Sequence, residues 1–136
     1  MTPLVYCDSS VLLKRVLDES DSNNYEQLLS ELIDQGATLI SSELALIEVR
    51  RALGRGAKGT DLAEDADKSL EEIFADVGLV KINEDVVNVA GRLPGRHLDS
   101  LDAIHVATAL LSESTIVLTG DIQMRSACQK IGLVVA

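Results

Sequence analysis

Leu4-Val5-Tyr6-Cys7-Asp8-Ser9-Ser10-Val11-Leu12 is the stretch that decides the fold. Its apolar residues 4–7 predict a short buried strand, and we expect a helix from about Ser10 to Leu17. Asp8 stands where the strand ends. In α/β sheets, ligands bind beyond the carboxyl ends of the strands, so this position is the first candidate for a functional side chain.

The same alternation of short apolar runs and helical patterns continues along the chain. Further strands are predicted at 38–40, 79–82, 116–119 and 133–135, and further helices at about 25–35, 42–53, 62–77, 84–93, 102–112 and 122–131. Strands that alternate with helices are typical of a mainly parallel sheet covered on both faces. We therefore predict one α/β domain over residues 1–136, with four to five strands and helices on both sides.

The bulk properties exclude several classes of protein. A hydrophobic fraction of 46% argues against disorder, and no run approaches the roughly 18 apolar residues of a membrane span. The N-terminus lacks the pattern of a signal peptide. Two cysteines, Cys7 and Cys128, make no disulfide framework. We expect two buried, reduced thiols in a cytoplasmic protein without a membrane partner.

The charge is strongly negative but unevenly placed. A net charge of −10 argues against broad nucleic-acid binding, which usually needs a basic surface. Arg50, Arg51, Arg55 and Lys58 nevertheless form a local basic group, and Arg96 shortly precedes Asp99. These residues are candidates for contacts to a phosphate backbone.

Four acidic residues occupy positions that are otherwise apolar or turning. They are Asp8, Glu48, Asp102 and Asp121. Asp8 and Asp121 follow predicted strands, Glu48 interrupts an apolar helix and Asp102 opens another. Carboxylates in such settings need compensation of their charge, and a hard cation such as Mg²⁺ or Mn²⁺ provides it if the fold gathers them.

Each acid also has an ordinary structural explanation. Asp8, Asp102 and Asp121 can cap helices, and Glu48 can pair with Arg51 one turn away. The apolar neighbours of Glu48 leave little surface for such a pair. Asp99 can cap the helix as well as Asp102, so one of the two is surplus. His105, one turn beyond Asp102, is expected to support the site and not to bind a ligand directly.

The order and spacing of these elements resemble the PIN-domain ribonucleases, and specifically the VapC-type toxins of bacterial toxin–antitoxin pairs. The matching segments are 5–12, 42–52, 101–109 and 119–121, and Leu101-Asp102-Ala103-Ile104-His105 is the most specific of them. The family commonly has Tyr or Phe where this chain has Gly120, and we expect this difference to loosen the placement of Asp121.

The resemblance implies a Mg²⁺- or Mn²⁺-dependent endoribonuclease that is inhibited by a small antitoxin and forms a homodimer. Asp8, Glu48, Asp102 and Asp121 match the family's four acidic positions, and Asp99 is a further candidate for the metal beside Asp8, Asp102 and Asp121. Ser9 and Thr119 match supporting polar positions. Arg50, Arg51, Arg55, Lys58 and Arg96 are then the candidates for holding RNA.

The first alternative function is another acidic α/β enzyme, and the residues disfavour it. A haloacid-dehalogenase-like phosphatase should show Asp-x-Asp after the first strand, and a response-regulator receiver should have a Lys after a late strand. This chain has Asp8-Ser9-Ser10 and no such Lys. The other alternative is a module that binds RNA or a partner without cutting.

Overall fold

A four-stranded parallel sheet forms the centre of the molecule. The computed structural model describes residues 2–16, 22–56 and 62–136. The strands are β1 (Leu4–Cys7), β2 (Thr38–Ser42), β3 (Val77–Val80) and β4 (Ile116–Leu118), in the order β3-β2-β1-β4. All three pairings are parallel. The predicted α/β sheet is confirmed.

Helices connect the strands and cover both faces of the sheet. The described helices are α1 (Ser9–Leu13), α2 (Ser22–Asp34), α3 (Glu43–Gly56), α4 (Leu62–Phe74), α5 (Glu84–Ala90), α6 (Ser100–Leu111) and α7 (Ile122–Lys130). Side chains alternate between two cores along β1: Val5 and Cys7 join one, and Tyr6 joins the other. Because an apolar core covers each face of the sheet, the strands can be largely apolar.

Sequence and structure differ at several boundaries. The predicted last strand is reduced to a single bridge between Val117 and Val135. The third strand begins two residues earlier than predicted, because Val77 is the residue that pairs with Leu39. The predicted stop at Gly36 is confirmed by its left-handed backbone, with φ of +88°.

The topology gathers the carboxyl ends of neighbouring strands. β1 lies between β2 and β4, so Asp8 after β1 and Thr119 after β4 come to the same edge of the sheet. α3 starts directly after β2 and carries Glu48 in its second turn. No helix in the described ranges has the length and hydropathy that crossing a membrane requires.

Candidate active site

Asp8 is buried at the end of β1, with 2% of its surface exposed. Its Oδ1 caps α1 by accepting from the Val11 amide at 3.0 Å, and it also accepts from the Ser10 hydroxyl at 2.7 Å. Its Oδ2 accepts a short hydrogen bond from the Thr119 hydroxyl. One carboxylate therefore both caps α1 and lies at the carboxyl end of β1.

Thr119 links Asp8 to Asp121. While its hydroxyl donates to Asp8, its Oγ1 accepts from the Asp121 amide at 3.0 Å. Asp121 in turn caps α7 through Met124, whose amide lies 2.8 Å from Oδ1. Gly120 leaves ordinary van der Waals space at its Cβ position, with Tyr25 Oη 3.7 Å away. Two hydrogen bonds thus define the position of Asp121 despite the glycine.

The structure shows which of Asp99 and Asp102 caps helix α6, a question that the sequence left open. Asp99 is the cap of α6: its Oδ1 accepts from the Asp102 amide at 2.8 Å. Asp102 lies in the first turn and is half-buried. Asp102 is therefore the carboxylate that α6 does not use as its cap.

The carboxylates interact electrostatically at this edge of the sheet. The pKa of Asp102 is raised from 3.8 to about 6, first by burial and then by the negative charges of Asp121 and Asp99, with a smaller contribution from Asp8. His105 opposes the shift. A raised carboxyl pKa of this origin marks a place where negative charge is poorly compensated, which is typical of functional sites.

Glu48 reaches the same region from α3 and is bonded to His105. Its Oε1 lies 2.5 Å from His105 Nε2. Nδ1 of the same ring lies 2.6 Å from the Tyr6 hydroxyl. The partner of Glu48 in the structure is thus His105 and not Arg51, which had been considered from the sequence. Ile47, which was expected to help enclose Glu48, is 56% exposed.

The donor chemistry of the site suits a hard divalent cation. The groups are carboxylate oxygens, the ligands that Mg²⁺ and Mn²⁺ prefer, and the pKa of Asp102 is raised first by burial and then by the charges of the other carboxylates. Within residues 2–16, 22–56 and 62–136, however, no three Asp, Glu, His or Cys side chains are placed to bind one ion together. The fit is therefore one of ligand type and charge.

The structure describes only some of the side chains that were predicted to bind RNA. Arg50 is exposed and pairs with Asp67 at 2.5 Å. Arg51 is exposed on α3, and Arg96 is exposed in the connection between α5 and α6. The side chain of Arg55 and the whole of Lys58 lie outside the described residues.

Sequence reasoning missed Ser10, which bonds to an acidic side chain, and Tyr6, which bonds to the histidine that holds one. Tyr6 reads as a core residue in an apolar strand, yet its hydroxyl bonds to His105. Ser10 donates to Asp8, although Ser9 was the residue singled out by the resemblance. The run Asp8-Ser9-Ser10 contained the second signal, since a Ser two residues after an Asp can bond back to it.

Comparisons with known proteins identify the family of the chain. The family model described as PIN domain matches residues 5–130. A protein named Ribonuclease VapC45 from Mycobacterium tuberculosis is 38% identical over 113 residues, covering 79% of this chain and 76% of the relative. Ribonuclease VapC46 from the same species is 33% identical over 133 residues, covering 96% of this chain and 95% of the relative.

A solved structure shares the fold at much lower identity. The crystal structure of VapBC2 from Rickettsia felis, bound to a DNA fragment from their promoter, contains a chain with a TM-score of 0.71 and 14% identity. The match covers 98% of this chain and 97% of the other. At that identity the likeness supports the architecture alone.

Proposed function

Because the chain belongs to the PIN-domain family and, within it, to the VapC ribonucleases, we propose that it is a metal-dependent endoribonuclease. It hydrolyses RNA phosphodiester bonds and acts as the toxin of a toxin–antitoxin pair. The observation that supports the proposal is the raised pKa of Asp102, which is caused first by burial and then by the nearby charges of Asp121, Asp99 and Asp8.

The residues divide into three roles. Asp8, Asp102 and Asp121, with Asp99 beside them, would hold Mg²⁺ or Mn²⁺. When bound, the ion activates water and stabilises the leaving oxygen. Glu48 orients the attacking water. Thr119 fixes Asp8 through its donated hydrogen bond and holds Asp121 through the accepted one.

In this proposal, RNA binding depends on the metal because of the negative charge at this edge of the sheet. Carboxylates at the edge repel the phosphates of RNA until a cation neutralises them. Arg51 and Arg96, both exposed, are then the candidates to attract the backbone. Substrate selection in this scheme comes from a local basic surface on an acidic protein.

Cleavage of purified RNA tests the proposed activity. We expect cleavage with Mg²⁺ or Mn²⁺, none with a chelator, and none in Asp8→Asn. Asp34→Asn is the matched control, because Asp34 is exposed at the end of α2 and away from the acidic edge. Equal activity of Asp8→Asn and wild type would refute the assignment. Binding of RNA without any cleavage would favour the non-cleaving alternative.

The toxin role adds two partners to the proposal. A small antitoxin blocks the acidic site, and a second copy of the chain forms a homodimer. Co-expression with the product of a neighbouring small reading frame should yield a stable complex that no longer cleaves RNA. Light scattering on the free protein measures its mass, and a monomer would refute the homodimer. The cytoplasmic location is also proposed, and the two buried free thiols support it.

A further inference from the structure

Tyr6, His105 and Glu48 form a chain of hydrogen bonds from the core to the site. Tyr6 is 0% exposed and His105 is 1% exposed, whereas the Glu48 side chain is 25% exposed. The Tyr6 hydroxyl lies 2.6 Å from Nδ1 of His105, and Nε2 of His105 lies 2.5 Å from Oε1 of Glu48. The three residues come from β1, α6 and α3, so the chain joins elements that are far apart in sequence.

The protons in this chain can be assigned from its ends. The backbone amide of Ser42 donates to the Tyr6 oxygen at 3.2 Å, so one acceptor position of that oxygen is filled. At the other end Glu48 offers carboxylate oxygens, which accept and do not donate. A proton on Nε2 is therefore needed to make the 2.5 Å contact attractive.

This conclusion holds for both charge states of the ring. In neutral His105 with the proton on Nε2, the Tyr6 hydroxyl donates to Nδ1. In the imidazolium, Nδ1 donates to Tyr6 and Nε2 still donates to Glu48. Burial raises the pKa of Tyr6 well above its usual range, so the hydroxyl keeps its proton. In each case one oxygen of Glu48 accepts the proton of Nε2.

We propose that Tyr6 and His105 are positioning residues that fix the carboxylate of Glu48 in one rotamer. The proposal rests on the proposed function, because Glu48 is there the residue that orients the water. A glutamate on an exposed helix face is free to adopt several rotamers. A hydrogen bond from a ring that is itself held in the core removes this freedom, and with one oxygen held, the other oxygen can serve the reaction.

Kinetics distinguish positioning from simple core packing. Tyr6→Phe removes one oxygen atom, and His105→Leu removes the donor to Glu48. We expect both to lower kcat by about 10- to 100-fold while KM for RNA changes by less than about 2-fold, since neither side chain is accessible to RNA. His105→Gln should recover part of the loss, because its amide nitrogen can donate from nearly the position of Nε2.

Thr108→Val is the matched control. Thr108 lies on α6 less than one turn beyond His105, is 0% exposed, and donates to the Ile104 carbonyl at 2.7 Å. The variant loses a buried hydroxyl without touching the chain to Glu48. All variants are compared at a temperature where each is fully folded. If Tyr6→Phe and Thr108→Val lower kcat equally, the positioning role is overturned.

A spectroscopic test works without any cleavage. Long-range ¹H–¹⁵N correlation should show His105 protonated on Nε2 in the wild type, with a proton signal that moves in Glu48→Gln. A neutral ring with its proton on Nδ1 would overturn the proposal. A wild type that keeps the Nε2 proton but cleaves no RNA would refute the proposed ribonuclease and leave the fixed Glu48 carboxylate standing.

Discussion

The hydroxyl of Thr119 donates to Asp8 across the ends of two neighbouring strands, 111 residues apart in sequence. The same oxygen accepts from the Asp121 amide. One threonine therefore holds the two acids that follow β1 and β4. Its methyl group has no such function, so the chemistry of the position resides in the hydroxyl.

Thr119→Val should lower RNA cleavage by about 10- to 100-fold, because Asp8 loses a donor and Asp121 loses its amide acceptor. The buried amide and carboxylate left behind should also lower the free energy of unfolding by about 1–3 kcal/mol. Cleavage rates and urea unfolding measure the two effects. Thr119→Ser keeps the hydroxyl and should stay close to wild type; a loss equal to that of Thr119→Val would count against this explanation.

Asp102→Asn should stabilise the metal-free protein while it abolishes cleavage. The pKa of Asp102 rises from 3.8 to about 6 on folding, so between these values the folded state binds more protons than the unfolded chain. Stability therefore falls as the pH rises through this window, and the penalty is complete above it. The variant should melt higher than wild type at neutral pH, and the difference should disappear below the lower pKa.

Thermal melting with a chelator present measures that effect. Asp34→Asn serves as the control, because it removes the same charge at an exposed helix end. A Tm for Asp102→Asn that is unchanged at neutral pH would show that neither burial nor the neighbouring carboxylates disfavour the charge of Asp102.

Mg²⁺ should raise the Tm of the wild type in a concentration-dependent way. A ligand that binds only the folded state adds about 2.7 kcal/mol at 100 times its Kd. Asp8→Asn and Asp121→Asn should abolish the shift, because both remove a charged ligand. Calorimetric melting over a Mg²⁺ series makes the measurement. Shifts of equal size in the wild type and both variants would place the ion elsewhere.

Asp76→Asn should destabilise the protein at neutral pH by about 0.5–1 kcal/mol, a value reduced for the solvent exposure of the pair. Arg15 contacts both oxygens of Asp76, at 2.7 and 2.9 Å, and also the Ile73 carbonyl at 2.9 Å. The guanidinium lowers the pKa of Asp76. Its stabilisation is present above the unfolded pKa and is lost as the pH falls through the folded one.

Urea unfolding at neutral and at acidic pH checks this prediction. Asp67→Asn is the control, because the pair of Asp67 with Arg50 is more exposed, at 55% and 60%. The prediction fails if Asp67→Asn costs as much as Asp76→Asn at neutral pH.

Arg51→Gln should weaken RNA binding and reduce the slope of log affinity against log salt by about 1. Arg51 is exposed one turn after Glu48 on α3, whereas Arg50 is already paired with Asp67. Arg50→Gln should therefore have a smaller effect. Binding titrations with Asp8→Asn as background measure affinity without cleavage. Lys130→Gln, at the end of α7, is the control, and an equal slope change there would indicate a non-specific effect.

The sequence indicates where the candidate acids lie because their positions obey local rules. Asp8 and Asp121 follow apolar runs, and two carboxylates, Asp99 and Asp102, compete for one helix start. The structure assigns the cap to Asp99. Local reasoning also predicts the sheet, since its strands are short, apolar and separated by helices.

The hydrogen bonds between these elements could not be predicted in the same way. Tyr6 and His105 are 99 residues apart, and His105 and Glu48 are 57 apart. Their meeting depends on how α3 and α6 pack, which no local pattern encodes. The prediction of the last strand was wrong for a related reason. Residues 133–135 are apolar, but they form only one bridge to β4.

Three of the acidic residues cap the N-termini of helices. This affects which substitutions can remove the activity without unfolding the protein. A backbone amide donates a hydrogen bond to the side chain of each of them, Asp8, Asp99 and Asp121. Most replacements there therefore remove a helix cap as well as a charge. Glu48 and Asp102 cap no helix. Under the proposed toxin role, a population that gains by its inactivation should acquire inactive proteins that still fold mainly through substitutions at these two positions.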